Sequence, residues 1–333
     1  MTTKEKIKLI LLEILGINAL FRFMNRDKAL ILMYHGICDD GFDLLKGYDE
    51  RHITVSLFRK QLTYLKQSGY SFVTLSELEE RLKNKIQVGK LAVLTFDDGF
   101  RNIVDNAYPI MKELGAKGCF YLISDLIGAD KLLWTDYVET VVRNSAKGEF
   151  LFTFEGGPIT YVLDTKASYE KAMLDIKRKL KKVPNDDRKR YLRQFDNIKI
   201  DTIPKEFFLC DWERIRSLDR RFLEVGSHTA THPNCTSFTS DEEFEREIKG
   251  SKAEIEKQVG YEVKHFCYPI GAYNDGVIER LKRYGYWTAV TTTPGFNDEN
   301  TDVYKLRRIA PREDFLHFKS VASGSYFSFT RMQ

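Results

Sequence analysis

Two short segments carry the residue types of a hydrolytic metal centre. The apolar run Leu91-Ala92-Val93-Leu94-Thr95-Phe96 ends in Asp97-Asp98-Gly99, and far downstream Gly226-Ser227-His228-Thr229-Ala230-Thr231-His232-Pro233 supplies two imidazoles four residues apart. Imidazole and carboxylate suit zinc and other divalent first-row ions, and a catalytic centre commonly takes three protein ligands while leaving a position for water. His228 and His232 fit two of those places. A turn of helix, or a loop shaped like one, sets an i,i+4 pair on one face. The third place falls to Asp97 or Asp98. Neighbouring side chains on an extended segment point apart, so one carboxylate can hold the ion while the other faces the reacting water. Each motif alone has a plainer reading, as a strand-closing turn or a solvated loop. Their shared position favours chemistry, because both follow apolar β-like runs, where parallel α/β proteins build their sites.

The elements that must position these residues alternate between β-prone and helical patterns. Strands are predicted over Ala29 to Tyr34, Ser71 to Thr74, Leu91 to Phe96, Gly118 to Ser124 and Phe222 to Val225, around Phe266, and over Trp287 to Thr291 and Leu306 to Ile309. Helices are predicted over Ser56 to Gln67, Ser76 to Leu82, Val104 to Leu114, Asp241 to Val259 and Asp275 to Tyr284. This rhythm predicts a parallel sheet, open or closed into a barrel. His35, the Asp97-Asp98 pair, His228 and the Tyr268-Pro269-Ile270-Gly271 segment then all fall at carboxyl ends of strands, which in a barrel share one rim. In isolation His35 fits a core histidine bonded to a carbonyl better than a functional group. Residues 130–205 break the rhythm and read as an insertion with a β-like pair over Glu149 to Val162; the basic run Lys177-Arg178-Lys179-Leu180-Lys181-Lys182 reads as a solvated helix face.

Bulk properties narrow the classes. The 333 residues, 43% hydrophobic, can bury one large core or two smaller ones. Fifty-two basic residues against 48 acidic ones give no electrostatic reason to expect a nucleic-acid partner. Five cysteines without Cys-x-x-Cys spacing suggest reduced thiols in a cytosolic protein rather than a disulfide framework or a structural zinc cluster. Residues 1–28 read as an N-terminal apolar helix that is too short to span a bilayer, is interrupted by Glu13 and lacks a small-residue cleavage site, so no signal peptide is recognised. It either packs on the body of the fold or lies at a membrane surface, where Lys4, Lys6, Lys8, Arg22, Arg26 and Lys28 would meet anionic lipid.

Thr95-Phe96-Asp97-Asp98-Gly99 and Ser227-His228-Thr229-Ala230-Thr231-His232-Pro233 resemble the first two motifs of the polysaccharide deacetylases related to chitin-oligosaccharide and peptidoglycan N-deacetylases. The resemblance covers most of residues 29–333 outside the insertion. It implies a distorted (β/α) barrel, with Asp98, His228 and His232 as metal ligands and Asp97 as general base. Phe266-Cys267-Tyr268-Pro269-Ile270-Gly271 resembles a variant of the third motif, which assigns Tyr268, Pro269 and Ile270 to the substrate and oxyanion side, with a backbone amide near Ile270 as donor. The family's last motif, an apolar strand ending in a catalytic histidine, normally lies near the C-terminus; here Leu30 to His35 matches it at the front, an order that resembles the poly-N-acetylglucosamine deacetylases and makes His35 the acid. Cys267 stands where many members carry an arginine that steadies the catalytic aspartate, and Arg308 or Arg312 is the substitute expected from the last strand.

The implied cofactor is a divalent metal, zinc first, with Co2+, Ni2+ or Fe2+ as alternatives, and the implied partner is an N-acetylated oligo- or polysaccharide. Location is expected to be cytoplasmic, with or without membrane association. Three other readings share these residues: a catalytically inactive carbohydrate-binding homologue, a deacylase of another small amide such as formyl, and a non-haem iron oxygenase using two histidines and one carboxylate. Trp134, Tyr137, Trp212 and Tyr273 fit either sugar stacking or core packing.

Overall fold

The computed structural model describes residues 3–41, 51–238, 240–312 and 314–330, with backbone alone for 328–330. The chain begins with helices α1 (Thr3–Ile14) and α2 (Ile17–Met24) and enters the sheet at β1 (Leu30–Tyr34). A small parallel pair, β2 (Gly36–Cys38) and β3 (His52–Thr54), precedes α3 (Val55–Gln67), β4 (Ser71–Phe72), α4 (Leu75–Lys83) and β5 (Leu91–Phe96). Next come α5 (Tyr108–Leu114), β6 (Gly118–Leu122), α6 (Trp134–Asn144), the antiparallel hairpin β7 (Gly148–Phe154) and β8 (Gly157–Leu163), α7 (Lys166–Leu180) and α8 (Asn185–Leu192). The last part holds α9 (Trp212–Arg216), β9 (Leu223–Ser227), α10 (Asp241–Phe244), α11 (Ser251–Val259), β10 (His265–Cys267), α12 (Asp275–Arg283), β11 (Thr288–Val290), α13 (Phe315–Ser323) and α14 (Ser325–Thr330).

Among the described residues the main sheet runs β1-β5-β6-β9-β10-β11, parallel throughout, with β4 on the first residues of β5. All six residues of β5 are buried, as an unbroken apolar run requires when both faces of a strand are covered. Leu32, Leu94, Phe96, Phe120 and Phe266 pack in the larger apolar layer, and Ile31, Val93, Tyr121 and Val290 in the smaller one on the opposite face.

The predicted strand over Leu306 to Ile309 is not one. Leu306 makes a single bridge to Val290 of β11 and Ile309 a single bridge to Leu32 of β1. The Leu306 N–H donates to Ala289 O (3.1 Å) and the Ile309 N–H to Ile31 O (2.8 Å). Four residues that must touch β11 at one end and β1 at the other cannot build a continuous ladder on either. They close the gap in a distorted (β/α) barrel.

Three other local expectations are corrected. The N-terminal apolar segment forms two helices, because the chain reverses at Gly16 with φ 69°, which favours glycine. The helices predicted over Val104 to Leu114 and Asp241 to Val259 contain π-helical turns, Ile103–Ala107 and Glu245–Gly250. The basic run of α7 is only partly solvated: Lys177 turns inward and pairs with the fully buried Glu139 at 2.8 Å. Residues read as an insertion pack on one another, with Val138, Phe150, Phe152, Leu163, Met173 and Ile176 in a core of their own.

Candidate metal centre

At the end of β5 the Asp97 N–H still donates to Tyr34 O (3.0 Å), but Asp98 turns into the left-handed region at φ 73°, followed by Gly99 at φ 87°. The two carboxylates therefore diverge because the backbone turns between them, and not because the segment stays extended. Asp98 Oδ1 lies 3.5 Å from His228 Nε2 and 3.6 Å from His232 Nε2. The His228 Nδ1–H donates to the Cys267 carbonyl at 2.8 Å, which leaves the Nε2 lone pair of a neutral ring facing Asp98.

The histidine pair is not on a helix. His228 continues β9, its N–H donating to Leu122 O (2.8 Å), and the chain then turns with Thr229 at φ 67° and His232 at φ 59°. Together with Asp98 and Ile270 (φ 53°), these make four non-glycine residues in left-handed backbone at one place. Such positions cost on the order of 1 kcal/mol or more each and persist where surrounding bonds overdetermine them. Those bonds are present: the Ser124 and Asp125 amides donate to Thr229 O and Ala230 O (both 3.1 Å), the Ala230 N–H donates to Glu247 O (3.0 Å), and the His232 N–H donates to Thr229 Oγ1 (3.0 Å). The rings stand 4.8 Å apart at 72°.

Asp97 is held from another direction. Arg308, carried on the closing segment and fully buried, donates from both terminal nitrogens to the two carboxylate oxygens at 2.7 and 2.8 Å. The same guanidinium bonds Thr95 Oγ1 (3.0 Å), Thr291 O (2.8 Å) and Cys267 Sγ (3.2 Å). Of the two arginines expected to replace the missing one, Arg308 makes the contact, and it does so beside the very residue that stands in the arginine's place.

Charge follows from these contacts. Burial pushes the Asp97 carboxyl up, but Arg308, with His228 and His35 behind it, leaves the pKa below the ordinary carboxylate range. Asp98 is likewise lowered, against its burial, by His228, His232, His35 and Arg51. Burial opposes charge on His228, yet Cys267, Asp98 and Asp97 hold its pKa well above the ordinary value; burial and the neighbouring His228 drive His232 well below it.

Asp98, His228 and His232, all buried, offer ligand atoms within 4.8 Å of one another, a donor set that fits a divalent first-row cation. Asp97, His228 and Cys267 also meet that distance, but Arg308 occupies both carboxylate oxygens and the sulfur, so a cation there would face a guanidinium. The indole N–H of Trp134 donates to His232 Nδ1 (3.3 Å), which places the proton of a neutral His232 on Nε2. Metal uptake at Nε2 therefore requires the other tautomer, with the proton moved to Nδ1 and the Trp134 bond given up.

The supporting shell was not legible in the sequence. Arg51 bonds Asp98 Oδ2 (3.2 Å) and also pairs with Asp136 of α6. Arg188 of α8, buried and with its pKa pulled down to about 10 by desolvation, donates to His232 O (3.0 Å) and Thr231 O (3.3 Å) and lies over the Trp134 ring. Glu247, in the second π turn, accepts from the Thr231 N–H (2.9 Å) and hydroxyl (2.8 Å). Residues 130–205 therefore reach the centre through Trp134, Asp136 and Arg188. Arg188→Ala is expected to weaken metal affinity by about 10- to 100-fold, read from a cobalt absorption titration on protein whose circular dichroism is unchanged. Unaltered affinity would show that the clamp on the His232 loop is dispensable.

The remaining candidates fall as follows. His35 is half-buried just past β1, close enough to act electrostatically on both Asp97 and Asp98. Tyr268 turns its side chain into the core, donating to Tyr304 O (3.0 Å) and stacking on Tyr273 at 4.9 Å, so it offers the centre backbone only. Pro269 and Ile270 form a tight turn closed by the Gly271 N–H to Tyr268 O (2.9 Å) and the Ala272 N–H to Pro269 O (3.2 Å), bonds in which the Ile270 amide takes no part. Trp134 is buried against the centre; Tyr137 and Trp212 are half-buried in packed regions.

A family model described as polysaccharide deacetylase matches residues 84–289. YxkH of Bacillus subtilis, which carries a provisional polysaccharide deacetylase name, is 20% identical over 283 residues, 85% of this chain and 71% of its own. The poly-beta-1,6-N-acetyl-D-glucosamine N-deacetylase of Staphylococcus epidermidis is 32% identical over 113 residues, 31% of this chain and 39% of its own. The solved structure of the Streptococcus pyogenes deacetylase PplD in complex with acetate shares the fold at TM-score 0.60 and 20% identity, covering 89% of this chain and 97% of that one.

Proposed function

The chain belongs to the polysaccharide deacetylase family, and from that premise we propose that it removes N-acetyl groups from amino-sugar residues of a glycan in a metal-dependent hydrolysis. The observation that carries this reading is the convergence of Asp98 Oδ1 on two imidazole nitrogens at 3.5 and 3.6 Å, beside an Asp97 locked by Arg308. Asp98, His228 and His232 would hold the cation, with zinc the first expectation and Co2+, Ni2+ or Fe2+ as alternatives. When bound, such an ion polarises an amide carbonyl and brings the pKa of water down to about 7. Asp97 accepts the proton of the attacking water; its pair with Arg308 keeps it ionised and aimed. The Ile270 amide, outside its own turn's hydrogen bonds, donates to the developing oxyanion. His35 returns a proton to the leaving amine, releasing acetate and a free amino sugar, and a role of this kind is worth about 10² to 10⁴ in rate.

The curated relative named for poly-N-acetylglucosamine and the acetate in the PplD structure support this substrate class and product. A catalytically inactive homologue was suggested by the arginine missing at Cys267, and Arg308 removes that reason. Acetate release from N-acetylated glucosamine oligomers is the direct test. Turnover is expected with zinc-loaded protein, loss to background after chelation, and recovery on adding metal back. A chain that binds the oligomers but releases no acetate in any metal would overturn the proposal in favour of a binding protein.

A further inference from the structure

The N-terminal hairpin is built with its apolar side outward. In α1 only Leu9 and Leu12 are buried, whereas Ile7, Leu11 and Ile14 form an exposed i, i+4, i+7 stripe, Ile14 at 73% exposure. In α2 the exposed stripe is Leu20, Phe23 and Met24, with Phe23 at 61%, and exposed Leu15 joins the two at the Gly16 turn. An ordinary amphipathic helix does the reverse, turning its wider apolar stripe toward the core.

The charges are sorted to match. Residues 3–28 hold six basic and three acidic side chains. Glu5 and Glu13 face inward, Glu5 accepting from the Tyr326 hydroxyl (3.2 Å) and Glu13 from Asn18 (2.7 Å) and Lys319. Lys4, Lys6 and Arg26 stay exposed around the apolar stripes, with Asp27 paired to Arg26. Carboxylates engaged by partners and exposed ammonium groups beside apolar stripes are complementary to an anionic bilayer surface, where apolar side chains enter the acyl boundary and cations meet headgroup phosphates. Among the described residues no helix is long and apolar enough to cross a membrane, which fits a segment lying on the surface.

We propose that α1 and α2 dock this protein on anionic membrane through Ile7, Leu11, Ile14, Leu20, Phe23 and Met24, with Lys4 and Lys6 on headgroup phosphates. The hairpin joins the barrel at the amino end of β1, while the metal centre lies at the carboxyl ends of the strands, so docking leaves the catalytic mouth open to a glycan in the aqueous phase. The inference is independent of the deacetylase reading, and either can fail alone.

The test is co-sedimentation of the full chain with phosphatidylcholine vesicles, plain or with phosphatidylglycerol as about a third of the lipid. Binding is expected to the anionic vesicles, to weaken with salt, and to be slight on plain ones. The double variant Leu11→Glu, Phe23→Glu is expected to lose at least about tenfold in partitioning, with unchanged melting temperature and unchanged acetate release from soluble oligomers. Absence of binding, equal binding to both vesicle types, or full binding by the variant would overturn it. So would a dimer in sedimentation equilibrium that the variant splits while neither protein binds vesicles, which would assign the face to a second copy of the chain.

Discussion

Asp97→Asn is expected to cut turnover by about 10² to 10⁴ while binding a divalent cation as wild type does, whereas His228→Ala is expected to lose both. The difference follows from where the groups point. Asp98 Oδ1 faces His228 and His232 at 3.5 and 3.6 Å, while both oxygens of Asp97 are taken by Arg308, so Asp97 is positioned beside the cation's place without being one of its ligands. Asparagine keeps an acceptor for one Arg308 nitrogen but cannot take up the water's proton. Removing the His228 ring takes away one of three donors and the ring that spans from Asp98 to the Cys267 carbonyl. Cobalt titration followed by acetate release on the same samples checks both statements. Equal loss of metal in the two variants would overturn the division of roles between the carboxylates.

Arg308→Ala is expected to be the most destabilising single change at the centre. It leaves Asp97 buried and ionised without its partner, and breaking one side of such a pair costs about 3–5 kcal/mol. In a chain of this size that corresponds to a fall in melting temperature of roughly 4–7 °C. Turnover is expected to fall as well, because an unpaired buried carboxyl rises in pKa and spends more time protonated. Adding Cys267→Arg to this variant would return a guanidinium to the space beside Asp97, since the native Arg308 nitrogen already lies 3.2 Å from Cys267 Sγ. Partial recovery of both melting temperature and acetate release is expected in the double variant. A double variant no better than Arg308→Ala, in a protein whose single Cys267→Arg change is tolerated, would show that the two positions do not serve one role.

The parallel barrel was legible because its signal is local. Each strand announces itself as an apolar run, and each reactive group follows such a run by one or two residues, so Asp97, Asp98, His228 and the turn at Ile270 could be assigned to one rim from sequence alone. The residue types that could hold a cation were legible too, because imidazole and carboxylate carry their chemistry with them wherever they fold.

Only tertiary structure decided what holds that chemistry in place. Arg308 comes from a segment with almost no ladder of its own, 211 residues beyond Asp97, and nothing in its neighbours distinguishes it from Arg312. Arg188 sits on a short charged helix within residues that the sequence marks only as an insertion, yet it is buried against the His232 loop. Left-handed backbone at Asp98, Thr229 and His232, which aims the candidate ligands, leaves too faint a mark in residue type to be read: Asp and His enter that region more readily than most L-residues but still uncommonly, and β-branched Thr avoids it. The physical reason is one of range: strand propensity and ligand chemistry act within a few residues, whereas desolvated ion pairs and strained turns exist only where distant segments have already been brought together.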